Sequence, residues 1–289
     1  MFCFDPSPLI LLGAEAEDQQ SNLALLMALS LQNIRQQCAE RLLLLYQQAR
    51  AGHIGSSLSC LEILVDLCFE RMTADDVIIL SKGHAAGALY TTLALSGRMP
   101  EATLDTFYQE GTLLAAHPPC SGAIKAIPFG TGSLGHGLSL ACGTAFSQKF
   151  TGKKFHTYVI LSDGDCNEGS TWEAALFAAH HQLANLTVLI DLNGLQGIGY
   201  TKDILTLEPI ADKWRAFGFT VAIADKGNDF ASLAQAHHEL ASATGPRCLI
   251  ARTVKGHGIS YMQNKMEWHY LPMNEAQYDQ ARRETSPTH

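Results

Sequence analysis

The amino-acid sequence predicts a doubly wound α/β domain, a mainly parallel sheet flanked by helices on both faces. Three observations carry that expectation. Five short runs, "DVIIL" (76–80), "HTYVIL" (156–161), "LTVLID" (186–191), "FTVAIA" (219–224) and "RCLIAR" (247–252), are rich in Val and Ile and mostly lack polar alternation. A strand that is apolar on both sides must be covered on both sides, as in a parallel sheet. The stretches between these runs have helical periodicity, giving the alternating order that builds such sheets. Finally, 289 residues with 47% hydrophobic content suffice for one large domain or two small ones with a sizeable core.

Taken in order, the elements begin with the pattern 21–50, where Ile34, Cys38, Leu42 and Leu45 recur at helical spacing behind a candidate cap at Ser21, predicting one or two long helices. Helices are then expected over 84–96, 137–150, 170–184, roughly 208–217 and 229–242. Residues 1–20 read as an N-terminal extension, 21–271 as the α/β domain and 272–289 as a C-terminal tail, both ends poorly ordered or partner-contacting. There is no internal repeat or low-complexity segment.

Composition narrows the function. The net charge is −8 and no Lys/Arg-rich run tracks a phosphate backbone, so nucleic acid is not an expected partner. Eight cysteines form no C-x-x-C pair, which speaks against a zinc site and for reduced thiols in the cytoplasm. The start has no positive residue before its short apolar run, and no stretch is long enough to span a bilayer, so neither a signal peptide nor a membrane is expected.

The chemistry gathers in "SDGDCNEGSTWEA" (162–174), where Asp163, Asp165 and Glu168 crowd a turn between a strand and a helix. In parallel α/β sheets ligands collect beyond the carboxyl ends of strands. Ser170 followed by Glu173 reads as a capping box that starts a helix near Thr171. A helix N-terminus attracts phosphate and adjacent carboxylates repel it, a conflict that a divalent cation resolves. Gly164 permits close backbone approach. At the next strand end, in "LTVLIDLNGLQG", Asn193 offers an amide oxygen, and Mg²⁺ commonly takes one or two protein side chains plus phosphate oxygens.

An isolated D-G after a strand is usually only a cap or a solvated turn. Here it is paired with D-x-N-G thirty residues on, from Asp163 to Asn193, which resembles the thiamine diphosphate signature. "EG", "WEA" and "DLNGLQ" make the chain most similar to the transketolase family. The resemblance covers roughly 34–270 through "AGHIGSSLS" (51–59), "LSKGHAAGALY" (80–90), "AAHP" (115–118), "GTGSLGHGLSLACGTA" (130–145), "WRAFGF" (214–219), "TVKGHG" (253–258) and "EWH" (267–269). It implies the thiamine diphosphate-binding fold. It also implies a metal, Mg²⁺ or alternatively Ca²⁺ or Mn²⁺, held by Asp163, Asn193 and the Leu195 carbonyl, with Gly164 against the diphosphate. His53 and His117 would line the sugar pocket, His84 would touch cofactor and substrate, and His269 would lie by the diphosphate. Imidazoles suit proton movement near neutral pH. His180, His181, His237 and His238 match no block and read as ordinary helix histidines.

"GTGSLG" satisfies G-x-G-x-x-G, yet Pro128 interrupts the preceding run and no acidic residue follows at the dinucleotide spacing. The resemblance instead assigns Gly132, Ser133 and Leu134 to the cofactor wall, a purely structural turn being the other reading. For Glu168 the resemblance implies a carboxylate network between paired sites; a first-turn acid favoured by the helix dipole explains it equally. Trp172, Trp214 and Phe217 read as core or interface aromatics, and Lys82 and Lys255 as solvated lysines in preference to phosphate partners.

Two departures stand out: Ser162 replaces the first glycine of G-D-G, and "KGND" (226–229) stands where D-G-H-D is usual. The larger one is length. Undivided transketolases continue into a pyrimidine-binding domain with the glutamate that activates the cofactor ring. The resemblance therefore implies one subunit of a split transketolase, inactive alone. With a pyrimidine-binding partner, in an α₂β₂ heterotetramer, it would transfer a two-carbon ketol unit between sugars or sugar phosphates, in carbohydrate metabolism of the pentose phosphate kind. Rival readings are a regulatory module keeping the fold without catalysis, an NAD-dependent oxidoreductase, the α-type chain of a 2-oxoacid dehydrogenase and a 1-deoxyxylulose-5-phosphate synthase-like enzyme. The histidine blocks speak against the last two.

Overall fold

The computed structural model describes residues 30–286 apart from 121 and 123. Five strands, β1 (Val77–Leu80), β2 (Thr157–Ser162), β3 (Leu186–Leu192), β4 (Thr220–Ala224) and β5 (Arg247–Arg252), form one all-parallel sheet in the order β1-β2-β3-β5-β4. Each falls within a residue or two of its expected run. β2 and β3 are buried along almost their whole length, which is why neither shows polar alternation.

Helices cover both faces. One face carries α1 (30–49), α2 (Ile54–Ser59), α3 (Leu61–Asp66), α4 (Ala86–Leu95), α9 (Phe230–Leu240) and α10 (Glu275–Thr285), whose apolar residues pack with Ile78, Leu80, Ile160, Leu189 and Leu249. The other carries α5 (Gly137–Thr151), α6 (Gly169–His180) and α8 (Ile210–Ala216) over Ile79, Val159, Val188, Ile190 and Ile250. The short α7 (Thr201–Ile204) leaves β3. Trp214 is fully buried and stacks beside Trp172, which also packs on Phe217, so these aromatics are core.

The chain's own chemistry sets several boundaries. α5 ends at Gly152, whose positive φ of 67° lets its N–H reach the Gln148 carbonyl. Asp229, from "KGND", caps α9 by accepting from the Ser232 N–H. The candidate cap Ser21 lies outside the described residues.

The first helix stops at residue 49, within one residue of the expected end, and Arg50 (φ 47°) and His53 (φ 74°) turn the chain into α2 and α3. Two expectations are corrected. Within 272–289, residues 275–285 form α10, closed by a reciprocal Asn274–Gln277 capping box; it docks through Glu284, which accepts from Ser260 N (2.6 Å) and Oγ (2.7 Å). The Ser170–Glu173 capping box does not form. α6 begins at Gly169 with Glu168 at its N-cap, and Ser170 Oγ donates instead to the Gly135 carbonyl at 2.9 Å.

Candidate cofactor and active site

β2 and β3 run in register with Ser162 opposite Asp191, so Asp163 emerges beside the turn that carries Asn193. Asp163 is 1% exposed. Its Oδ1 accepts from Gly194 N (3.2 Å) and Thr201 Oγ1 (3.0 Å), its Oδ2 from Asn193 N (3.1 Å). Burial, reinforced by the neighbouring Asp191 charge, pushes its carboxyl up to about 6 despite those hydrogen bonds. Asn193 donates through Nδ2 to Ser59 Oγ (3.0 Å), and its Oδ1 accepts only the Leu195 N–H (3.0 Å). Among the described residues no donor reaches the Leu195 carbonyl.

This set fits a hard divalent cation. A carboxylate offers about four acceptor positions, and three on Asp163 are taken, leaving one on Oδ2. Asn193 Oδ1 keeps a free lone pair, and the Leu195 carbonyl is unengaged. Three oxygens with spare capacity, on the neighbouring turns that follow β2 and β3, match the ligand type of Mg²⁺. Among the described residues no three His, Cys, Asp or Glu side chains gather as a metal cluster, so a soft thiolate or imidazole centre has no footing there.

Behind the turn lies a buried charge network. Asp191, fully buried, pairs with Lys82 and accepts from Ser59 Oγ (2.7 Å) and Thr253 Oγ1. Burial disfavours the Lys82 ammonium, but the adjoining Asp191 more than offsets this and raises its pKa. Lys255 is 1% exposed and has no carboxylate within ion-pair distance among the described residues; its Nζ meets His269 Nδ1 at 2.7 Å. Burial first, then the Lys82 charge, brings it down to about 8. A buried cation lacking its own anion is what a diphosphate would satisfy. Both lysines are thus interior, contrary to the solvated reading from sequence.

The other wall is the glycine turn. A methyl on Gly164 would lie 2.7 Å from Leu134 Cδ1, and Gly135 (φ 81°) would meet Glu168 Cβ at 2.5 Å, so the β2 turn and the glycine turn pack at backbone distance. Asp165 joins them. Its Oδ1 accepts from Ser81 Oγ (2.6 Å) and Gly135 N (2.8 Å), its Oδ2 from Ser162 N (2.8 Å) and Oγ (2.9 Å). Ser162, the departure from G-D-G, is therefore used to hold the turn. Gly132 and Ser133 border a cleft of about 560 Å³. The turn follows a long loop rather than a strand, which removes the context a dinucleotide fingerprint needs.

Four of the predicted histidines converge from separate loops. His53 lies 5.8 Å from His84, 6.0 Å from His117 and 5.1 Å from His269 between ring centroids, and His84 lies 5.2 Å from His269. Burial lowers all of them. Lys82 adds to the fall at His84, His117 and Lys255 at His53, and Lys255 at His269, which drops to about 3. The cluster is neutral at pH 7, able to accept or pass a proton. Glu168 is exposed at the α6 N-cap and joins no ion pair among the described residues. A cavity of about 400 Å³ borders Asp163, Asn193 and Leu195. A larger one, about 770 Å³, lies against the amino end of β1 and shares no residue with the site. Sequence reasoning singled out Asp165 without giving it that joining role, and missed Asp191 and Tyr270, the last of which has its ring centroid 4.8 Å from that of His269.

With this geometry in place, the comparisons decide the family. The family model "Transketolase, thiamine diphosphate binding domain" matches residues 35–286. The chain belongs to the transketolase family. It is 37% identical to one of the subunits of the apulose-4-phosphate transketolase of Phocaeicola vulgatus over 257 residues, 86% of this chain and 90% of that one. It is 38% identical to a 6-deoxy-6-sulfo-D-fructose transketolase subunit of Clostridium sp. over 240 residues, 80% and 86% of the two chains. Among solved structures, transketolase from Leishmania mexicana superposes with a TM-score of 0.80 at 25% identity, covering 88% of this chain but 41% of that one. This transketolase-family chain thus matches single subunits of divided transketolases over most of their length and undivided transketolases over less than half.

Proposed function

We propose that this chain is the diphosphate-binding subunit of a split transketolase, moving a two-carbon ketol unit from a ketose to an aldose when joined to a pyrimidine-binding partner. One observation carries the reading: the oxygens of Asp163, Asn193 and Leu195 with spare acceptor capacity, and a Lys255 with no carboxylate within ion-pair distance among the described residues, lie at the same end of the sheet as four neutral imidazoles, one of which, His269, meets Lys255. Relatives of similar length are named as individual transketolase subunits, which supports a separate second chain.

Asp163, Asn193 and the Leu195 carbonyl would hold Mg²⁺, or Ca²⁺ or Mn²⁺ in its place. Gly132, Ser133, Leu134 and Gly164 would flank the cofactor, and Lys255 would offset diphosphate charge. When bound, thiamine diphosphate supplies the nucleophilic carbon that cleaves and re-forms the carbon–carbon bond. The chain's own share is binding and proton handling: His53 and His117 orient sugar hydroxyls, His84 accepts and returns hydroxyl protons, and His269, its Nδ1 engaged by the Lys255 ammonium, lies by the diphosphate. The lowered pKa of His84 keeps a lone pair available at neutral pH.

The partner would contribute the carboxylate that activates the cofactor's pyrimidine ring, and Glu168 would link paired sites within an α₂β₂ assembly. Sugar phosphates of the pentose phosphate kind, or similarly anionic sugars, are the substrate class, in keeping with the names of the relatives. Cytoplasmic operation agrees with the seven free cysteines among the described residues, and no described helix is long and apolar enough to cross a membrane. The test is reconstitution with the second subunit, thiamine diphosphate and Mg²⁺. Ketol transfer is expected from the mixture and from neither part, and activity of this chain alone would overturn the assignment.

A further inference from the structure

The loop from Asn193 to Thr201 carries the Leu195 carbonyl. It is rooted on Asp163 and closed on itself by Gln196 N to Gly199 O (2.9 Å) and Thr201 N to Gly194 O (2.9 Å). Its tip projects outward, with Ile198 78% exposed. Among the described residues two side-chain hydrogen bonds fasten that tip to the rest of the chain. Gln196 Nε2 donates to Asn167 Oδ1 (2.6 Å), and Tyr270 Oη donates to the Gly197 carbonyl.

Tyr270 is placed to join three segments. It directly follows the turn Met266–His269, its ring lies 4.8 Å from His269 and 6.5 Å from His53, and its carbonyl occupies the space a methyl on Gly52 would need. Gly197 has no room for a side chain, since a Cβ there would lie 2.5 Å from Tyr270 Oη and 3.2 Å from His269 Nε2.

We infer that Tyr270 is a positioning residue: its hydroxyl straps the loop bearing the Leu195 carbonyl to the His269 segment, and so holds the metal–diphosphate side of the site in register with the imidazoles. The inference rests on the proposed function for the identity of the ligand, but the strap is a property of the chain itself. The hydroxyl is committed to Gly197, so Tyr270 acts through the loop and not on a substrate. Without it, among the described residues, only the Gln196–Asn167 bond fastens the tip to the rest of the chain.

The test compares Tyr270→Phe with wild type in the two-subunit complex. Thiamine diphosphate affinity in the presence of Mg²⁺ is measured by calorimetry, and hydrogen exchange of residues 194–199 is measured without cofactor. The substitution keeps the ring and removes one neutral hydrogen bond, so affinity should weaken about two- to tenfold. Exchange at 196–199 should quicken, while kcat at saturating cofactor stays within about twofold, the small KM-type effect of a lost positioning contact. Gly197→Ala, which wedges the tip off Tyr270 and His269, should shift affinity and exchange the same way. Unchanged exchange in Tyr270→Phe would overturn the strap whatever the affinity does. Faster exchange with unchanged affinity would overturn its role toward the cofactor. Failure of the wild-type complex to bind thiamine diphosphate would sink the proposed function, and the exchange comparison would still decide the strap.

Discussion

Asp191→Asn probes the charge network beneath the site. Asp191 is fully buried and faces Lys82, also fully buried, while accepting from Ser59 Oγ at 2.7 Å and from Thr253 Oγ1. The amide keeps one acceptor for the hydroxyls but turns an NH₂ toward the ammonium and removes its counter-charge. Breaking a buried pair from one side costs about 3–5 kcal/mol, because the remaining charge stays desolvated. Against a typical domain stability of about 5–15 kcal/mol this is a large fraction, equivalent to a fall in Tm on the order of 10 °C. Urea denaturation of the purified chain measures it. Adding Lys82→Met removes the stranded charge and should recover at least half of the loss, while thiamine diphosphate affinity of the complex stays impaired because Asn193 Nδ2, 3.4 Å from Asp191 Oδ2, loses one of its two acceptors and keeps only Ser59 Oγ. A loss below about 1 kcal/mol for the single variant, or no recovery in the double, would refute the reasoning.

His156 gives a pH signature remote from the site. Burial, then Arg247, lowers its imidazole from 6.5 to about 4, so the folded state resists protonation and its contribution, on the order of 3 kcal/mol, is present above pH 6.5 and lost as pH falls toward 4. His156→Gln should flatten that acid limb in urea midpoints taken across the window, and an unaltered slope would contradict the assignment. Gly135→Ala forces a methyl into a left-handed backbone and against Glu168 and Ser170, which should cost about 1–3 kcal/mol and weaken cofactor binding; an unshifted midpoint would tell against the packed turn.

The sheet was legible because strands buried on both faces leave continuous Val/Ile runs, and β2, β3 and β5 lie where those runs do. Asp163 and Asn193 were legible from the chemistry of neighbouring strand ends, whereas the four histidines were reached through motif resemblance; spacing alone does not bring His53 and His269 together, since a tertiary fold must. Local rules misled where tertiary bonds competed. Ser170 has capping-box spacing, but Gly135 offers its carbonyl a turn away. Lysines are ordinarily solvated, so Lys82 and Lys255 could be read as interior only once Asp191 and His269 were seen beside them. The end of α1 was legible to within a residue, but the positive φ at Arg50 and His53 that redirects the chain into α2 and α3 was not, since neither residue type signals it. Asp165 stood out as a carboxylate of the turn, but its bond to Gly135 spans separate loops, as does that of Tyr270 to Gly197, and no linear pattern marks either contact.

The central claim is that one divalent ion, held by Asp163 and Asn193, secures the diphosphate to this chain. Its most direct test is a titration of the two-subunit complex with Mn²⁺ as a spin probe in the presence of thiamine diphosphate, wild type against Asp163→Ala. Tight, cofactor-dependent Mn²⁺ binding that disappears in the variant is the predicted result. Equal Mn²⁺ and cofactor affinity in both proteins would contradict it.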